Sequence, residues 1–154
     1  MTSSAPAKPQ PTGPDYLLVD GYNVIFAWDE LREMAKTNLD AARRRLMDIL
    51  CNYAGYKRCV PILVFDAYKV RGGTREVEKH HNLYVVYTQE AETADMYIER
   101  TTHELAKDHR TRVVSSDGAE QIIVLGNGAL RVSARAFAEE VAAVEKEIRE
   151  FLQN

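Results

Sequence analysis

The chain has 154 residues, 45% of them hydrophobic and 28% charged, with a formal net charge of -3. That length and balance describe one domain able to bury its own core without disulfides or metal staples, and they exclude an intrinsically disordered chain. The acidic balance also excludes a uniformly basic nucleic-acid binder, although acids gathered around a cation would change the local sign.

Residues 1–14 carry four of the five prolines and no large apolar side chain after Met1. Such a segment cannot offset its ordering entropy by burial and reads as a disordered tail or linker, leaving 15–154 as the domain. YLLVD (16–20) is a short apolar run that ends at an acid. Over 39–54, Leu39, Ala42, Leu46, Ile49, Leu50 and Tyr53 recur at helical spacing. VPILVF (60–65) is a second apolar run, followed by Asp66, and LYVVY (83–87) is a third. A helix is expected over 93–107, a fourth strand over 112–116, and a short helix over 118–124. A brief strand near Leu130 leads to a long helix marked by Phe137, Val141, Val144, Ile148 and Phe151. Strands alternating with helices, and apolar along most of their length, predict an α/β fold with a mostly parallel central sheet and helices on both faces.

Cys51 and Cys59 lack CxxC spacing, which argues against a zinc site and for packing as small hydrophobes. No apolar run resembles a signal peptide or is long enough to cross a bilayer, so a cytoplasmic location is expected.

Three expected strands deliver an acid at their ends: Asp20, Asp66 and Asp117. Glu92, Asp95 and Glu99 add a stripe at three- and four-residue spacing where the next helix begins. Ligands of such sheets bind at the carboxyl ends of the strands, which is where these acids fall. Two carboxylates about 5 Å apart repel by roughly 3 kcal/mol at an effective dielectric near 20, so several together favour protonation or a bound cation. Hard oxygen ligands suit Mg²⁺ or Mn²⁺, and such an ion can activate water and steady a transferring phosphoryl group. Taken singly, each acid has a plainer reading as a helix cap or turn residue, and Asp117 with Glu120 has the spacing of a capping box.

LLVDGYNVIFAW (17–28) resembles the signature that names the NYN family, in which an aspartate ends the first strand and an Asp-Gly-Tyr-Asn turn follows. FDAYKVRGG (65–73), ETADMYIE (92–99), SSDGAEQ (115–121) and GNGALRVSAR (126–135) are similar, in order, to later motifs of its YacP-like branch. The resemblance covers residue 16 to about residue 150 and implies a three-layer PIN-like fold and metal-dependent endoribonuclease activity. It further implies a role in mRNA turnover linked to translation, with the ribosome as a partner. By matching position, Asp20, Asp95 and Asp117 would hold Mg²⁺ or Mn²⁺. Asn23 would orient a ligand or substrate phosphate, and Asp66 would bind the metal through water. Glu92 and Glu99 would be outer ligands or solvated helix charges, and the second reading is favoured. Tyr68 departs from the histidine-like residue expected at its position. Tyr22 is read as a packed anchor, with Gly21 supplying backbone geometry that a side chain would hinder.

The segment 68–81 carries Lys69, Arg71, Arg75 and Lys79 and two adjacent glycines, which reads as a mobile loop able to grip phosphates, with Tyr68 free to stack on a base. His80 and His81 are read as loop residues. Arg131 and Arg135, at i, i+4, are expected together at the start of the last helix as further phosphate contacts. The rivals are a catalytically inactive PIN-like RNA- or ribosome-binding module, a DNA nuclease, and an α/β phosphatase or receiver domain. An aspartyl-phosphate phosphatase would have a second Asp where Tyr22 stands, and the late segments lack a receiver-like lysine at a strand end.

Overall fold

The structure is a computed structural model and describes residues 13–67, 73–115, 123–124 and 128–154. The elements run β1 (Asp15–Asp20), α1 (Gly21–Ala27), α2 (Asp29–Thr37), α3 (Leu39–Lys57), β2 (Cys59–Phe65), β3 (Glu76–His80), β4 (Leu83–Tyr87), α4 (Ala94–Leu105), β5 (Thr111–Ser115), β6 (Ile123–Val124), β7 (Leu130–Ser133) and α5 (Ala134–Gln153). The sheet has seven strands in the order β3-β4-β2-β1-β5-β7-β6. β1, β2, β4, β5 and β7 are parallel, and the edge strands β3 and β6 are antiparallel.

Two apolar clusters make the three layers. On one face Leu17, Val19, Leu63, Phe65 and Val85 meet Val24, Ile25, Leu46, Leu50 and Phe137 from α1, α3 and α5. On the other, Leu18, Ile62, Val64, Val86 and Val113 meet Ala94 and Ile98 of α4. Alternate residues of β1 therefore serve opposite cores, as the two-residue strand period requires. Burial on both faces explains why the central strands read as continuous apolar runs.

The chain proceeds outward from β1 through β2 to β4, then returns through α4 to β5 on the other side of β1. That reversal of strand order opens a crevice beyond the carboxyl ends of β1 and β5, where open α/β sheets bind ligands.

Several expectations change. Residues 21–37, left without elements by periodicity, form α1 and α2. Residues 76–80, read as part of a mobile loop, pair with β4 as an edge strand whose last residue is His80. Ile123 and Val124, placed in a short helix, pair with β7 as a strand, while 118–122 lie outside the described residues. Both cysteines are free thiols packed against the core, as expected. Among the described residues, no helix is long and apolar enough to cross a membrane.

Candidate active site at the carboxyl edge of the sheet

Asp20 ends β1 and caps α1 in one step. Its backbone is extended, and its side chain faces the backbone N–H of Asn23 at 3.5 Å while accepting a 2.6 Å bond from the Asn23 side-chain amide. Capping alone is the plain reading of such an acid, but burial separates Asp20 from an ordinary cap. Only 6% of its surface is exposed. Burial pushes its pKa from 3.8 up to about 6; the N–H of Asn23 works against this, and the charges of Asp95 and Asp66 add to it. The charges at the end of β2 and in the first turn of α4 thus reach the carboxyl at the end of β1.

Their settings differ. Asp66 is half-buried just beyond β2. Asp95 is exposed in the first turn of α4, whose N-cap Thr93 accepts from the backbone N–H of Met96 at 3.1 Å. Negative charge is favoured at a helix N-terminus, so the first turn of α4 is a favourable place for the Asp95 side chain. Asp117, the expected third ligand, lies outside the described residues. Among the described residues, no three His, Cys, Asp or Glu side chains stand close enough to hold an ion between them. The donor chemistry nonetheless fits a hard divalent cation. The acids are oxygen donors that repel one another, and one is buried with a carboxyl that would stay largely protonated below pH 6 without a counter-charge.

Close packing fixes Asp20. A side chain on Gly21 would run into the Phe65 ring, which is fully buried. The glycine is needed for close approach, since its φ is not positive. Tyr22 is packed, as expected: its ring lies 5.0 Å from that of Phe65 and 6.3 Å from that of Phe26, and its hydroxyl accepts from Arg43 at 3.0 Å. Trp28, at the junction of α1 and α2, donates its indole N–H to the carbonyl of Ala134 at 2.8 Å, which ties this layer to the start of α5. Sequence reasoning also missed Thr88, buried just beyond β4, whose hydroxyl accepts from the backbone N–H of Ala67 at 2.9 Å. Its backbone N–H donates to the carbonyl of Phe65, so the segment bearing Asp66 is held from β4.

Three expectations need correction. Glu92 is not a solvated helix charge. It precedes the N-cap of α4, is 3% exposed, and accepts from Arg75 and Arg100, both at 2.5 Å on Oε2. Burial pushes its pKa up, but the bonds from Arg75 and Arg100 outweigh this and hold the carboxyl below its ordinary range. Arg75 is correspondingly no free loop cation: it is committed to Glu92 and lies over the Tyr97 ring. Arg131 sits in β7 and Arg135 in the first turn of α5, with Ser133 as N-cap between them, so helical spacing does not bring them together. Glu99 is exposed, as expected. Tyr68, Lys69 and Arg71 lie outside the described residues.

A mostly parallel three-layer sheet with buried and exposed acids at the crevice beyond its central strand defines an α/β domain of the PIN-like nuclease type. The pattern of the YacP-like NYN domain family matches residues 17–154, and the chain belongs to that family. YacP of Bacillus subtilis (strain 168) is 38% identical over 135 residues, spanning 87% of this chain and 79% of the relative. The crystal structure of Rae1 (YacP) from Bacillus subtilis matches with a TM-score of 0.74 at 37% identity, covering 90% of this chain and 80% of that one. A crystal structure of a mutant of the same protein gives 0.72 at 36% identity, covering 88% and 79%.

Proposed function

We propose that this domain is a metal-dependent endoribonuclease that hydrolyses RNA phosphodiester bonds at the carboxyl edge of its sheet, in mRNA turnover linked to translation. The observation that carries the reading is the state of Asp20: a buried carboxyl raised to about 6, with the charges of Asp95 and Asp66 acting on it. Membership of the PIN-like superfamily, whose domains are generally metal-dependent, supports the same reading.

Asp20, Asp95 and Asp117 would hold Mg²⁺ or Mn²⁺, with Asp66 contributing through water. A hard divalent cation, when bound, supplies water activation and counter-charge at the scissile phosphate. With its pKa raised to about 6, Asp20 is ionised at neutral pH at an electrostatic cost that a counter-charge would offset. Asn23 fixes the carboxylate by holding Oδ2 through its side-chain amide. Asp95 faces solvent and so remains open to substrate. Tyr68, Lys69, Arg71, Arg75, Arg131 and Arg135 would contact RNA, Arg75 while remaining joined to Glu92. The ribosome is proposed as the setting in which the mRNA is presented, and the cytoplasm as the compartment.

The second reading is a non-cleaving PIN-like RNA- or ribosome-binding module. On its side stands the lack, among the described residues, of three side chains close enough to share an ion. Cleavage of labelled single-stranded and structured RNAs in Mg²⁺ or Mn²⁺, with EDTA and Asp95→Asn as controls, decides between them. Cuts that vanish in both controls are expected. Cuts that persist in Asp95→Asn would remove the assignment. If neither free RNA nor RNA on translating ribosomes is cleaved, the binding module takes its place.

A further inference from the structure

The face of the sheet that carries α4 is only partly covered. α4 packs over β1, β2 and β5, and the β4–β3 end of the face extends past it. Strand alternation brings Val77 and Lys79 of β3 out on this side beside Val86 and Tyr84 of β4, in the register Val77↔Val86 and Lys79↔Tyr84. Val77 is 58% exposed and Tyr84 38%. With Tyr16, Ile62 and Tyr97 these residues line an open concavity of about 470 Å³, within the size range of ligand sites. Among the described residues that line it there is no carboxylate. Glu76 and Glu78 alternate to the opposite face.

The aromatic rings here are accompanied by cations. The Lys79 ammonium lies 5.5 Å from the centroid of Tyr84. The guanidinium groups of Arg75 and Arg100 lie 5.2 and 5.9 Å from the centroid of Tyr97. Both arginines share the one carboxylate of Glu92, so two positive charges meet one negative and the cluster stays cationic. A lysine on an edge strand ordinarily blunts the edge against aggregation. That role does not account for the rings and the valine presented beside it to solvent. Partly exposed rings accompanied by cations, in a concavity with no carboxylate among its described lining, are the combination that binds single-stranded nucleic acid.

We propose that the open face of β3–β4 is a track for single-stranded RNA, with Tyr84 and Tyr97 as stacking rings and Lys79 and Arg100 as phosphate contacts. The proposal deepens the nuclease reading, on which it rests for the choice of RNA. Glu76 pairs with Tyr87 at the carboxyl end of β4, so Arg75 stands at the acid edge of the sheet. Lys79 follows four residues down the strand, about 13 Å away at the usual rise. The track therefore begins beside the candidate active site and leads away from it. It also gives the Glu92 pairs a part to play, since they fix the two arginines beside the Tyr97 ring.

The test measures binding of a fluorescein-labelled oligouridine, about ten nucleotides long as suits such surfaces, to the full chain in EDTA so that nothing is cut. Tyr84→Ala and Lys79→Glu are expected to weaken binding about tenfold each while leaving the thermal midpoint unchanged. The same RNA carrying 5-iodouridine is expected to photo-cross-link to Tyr84 or Tyr97. Unchanged affinity in both variants, cross-links confined to other surfaces, or a wild type that binds no RNA would overturn the proposal. So would a dimer that dissociates on the same substitutions with RNA affinity intact, since the face would then belong to a second copy. Binding that depends on Tyr84 and Lys79 without cleavage by the wild type would keep the track and remove the nuclease reading. Cleavage with unaltered affinity in both variants would do the reverse.

Discussion

The side-chain amide of Asn23 donates to Oδ2 of Asp20 across 2.6 Å. A donor of this kind favours the ionised carboxylate and so works against the burial that pushes Asp20 up to about 6. Asn23→Ala should therefore raise the pKa of Asp20 above about 6. A ¹³C carboxyl titration in divalent-free buffer reads this directly, and a pKa that stays put or falls would show that the amide does not govern the charge of Asp20.

Asp20 also ties stability to pH. Folding lifts its pKa from 3.8 to about 6, so the folded state holds the proton harder than the unfolded chain does. Below pH 4 both states are protonated and there is no penalty. The penalty grows between about 4 and 6 and then levels off at about 3 kcal/mol. Asp20→Asn should thus melt several degrees higher than wild type at pH 7 in EDTA and at the same temperature near pH 4. Adding Mg²⁺ or Mn²⁺ at pH 7 should raise the melting temperature of wild type and not of the variant. Calorimetry across that pH range, with and without the ion, checks both expectations.

Gly21→Ala should destabilise the fold by about 1–3 kcal/mol, the usual cost of overpacking a core. The added carbon would meet Phe65, which has no room to retreat. Chemical denaturation measures the loss. Because Gly21 follows Asp20 directly, cleavage should fall further than the stability loss alone predicts.

Glu92 has the opposite sign from Asp20. Its pKa is lowered in the folded state, so its contribution is fully present above the ordinary glutamate value and is lost as pH falls through the lower folded value. Glu92→Gln should cost about 1–2 kcal/mol at pH 7, below the usual figure for a broken buried pair because Arg75 and Arg100 can still reach water. Urea melts of variant and wild type at pH 7 should differ, and the gap should narrow well below pH 4.5.

The parts of the fold that the sequence disclosed are those with a strong period or a long apolar run: β1, α3, β2, β4, α4, β5, β7 and α5. α1 was not legible because GYNVIFA is a poor helix former, with a glycine, an asparagine and two β-branched residues. It is helical because Asp20 caps it and because Val24 and Ile25 are fully buried. β3 was missed for the converse reason. EVEKH has no residue in either core, so no alternation marks it, and only its ladder with β4 makes it a strand. Of the acids, the places of Asp20 at the end of β1 and Asp95 in the first turn of α4 were legible from the strand and helix pattern. Glu92 was misread because a helical stripe was extended one residue past the N-cap Thr93, where helical spacing no longer holds.

The register of β1 with β5, from Tyr16↔Thr111 to Val19↔Val114, bears on how the protein is made. β1 is among the first parts of the domain to leave the ribosome, and it can pair early with β2, yet its other edge stays bare until β5 is synthesised. Through that interval the nascent chain exposes an apolar strand edge, the kind of surface that chaperones cover. The crowding of charge around Asp20 is deferred to the same moment, because α4 and its Asp95 are also late. The chain thus meets its electrostatic penalty only once most of its apolar contacts can form to oppose it.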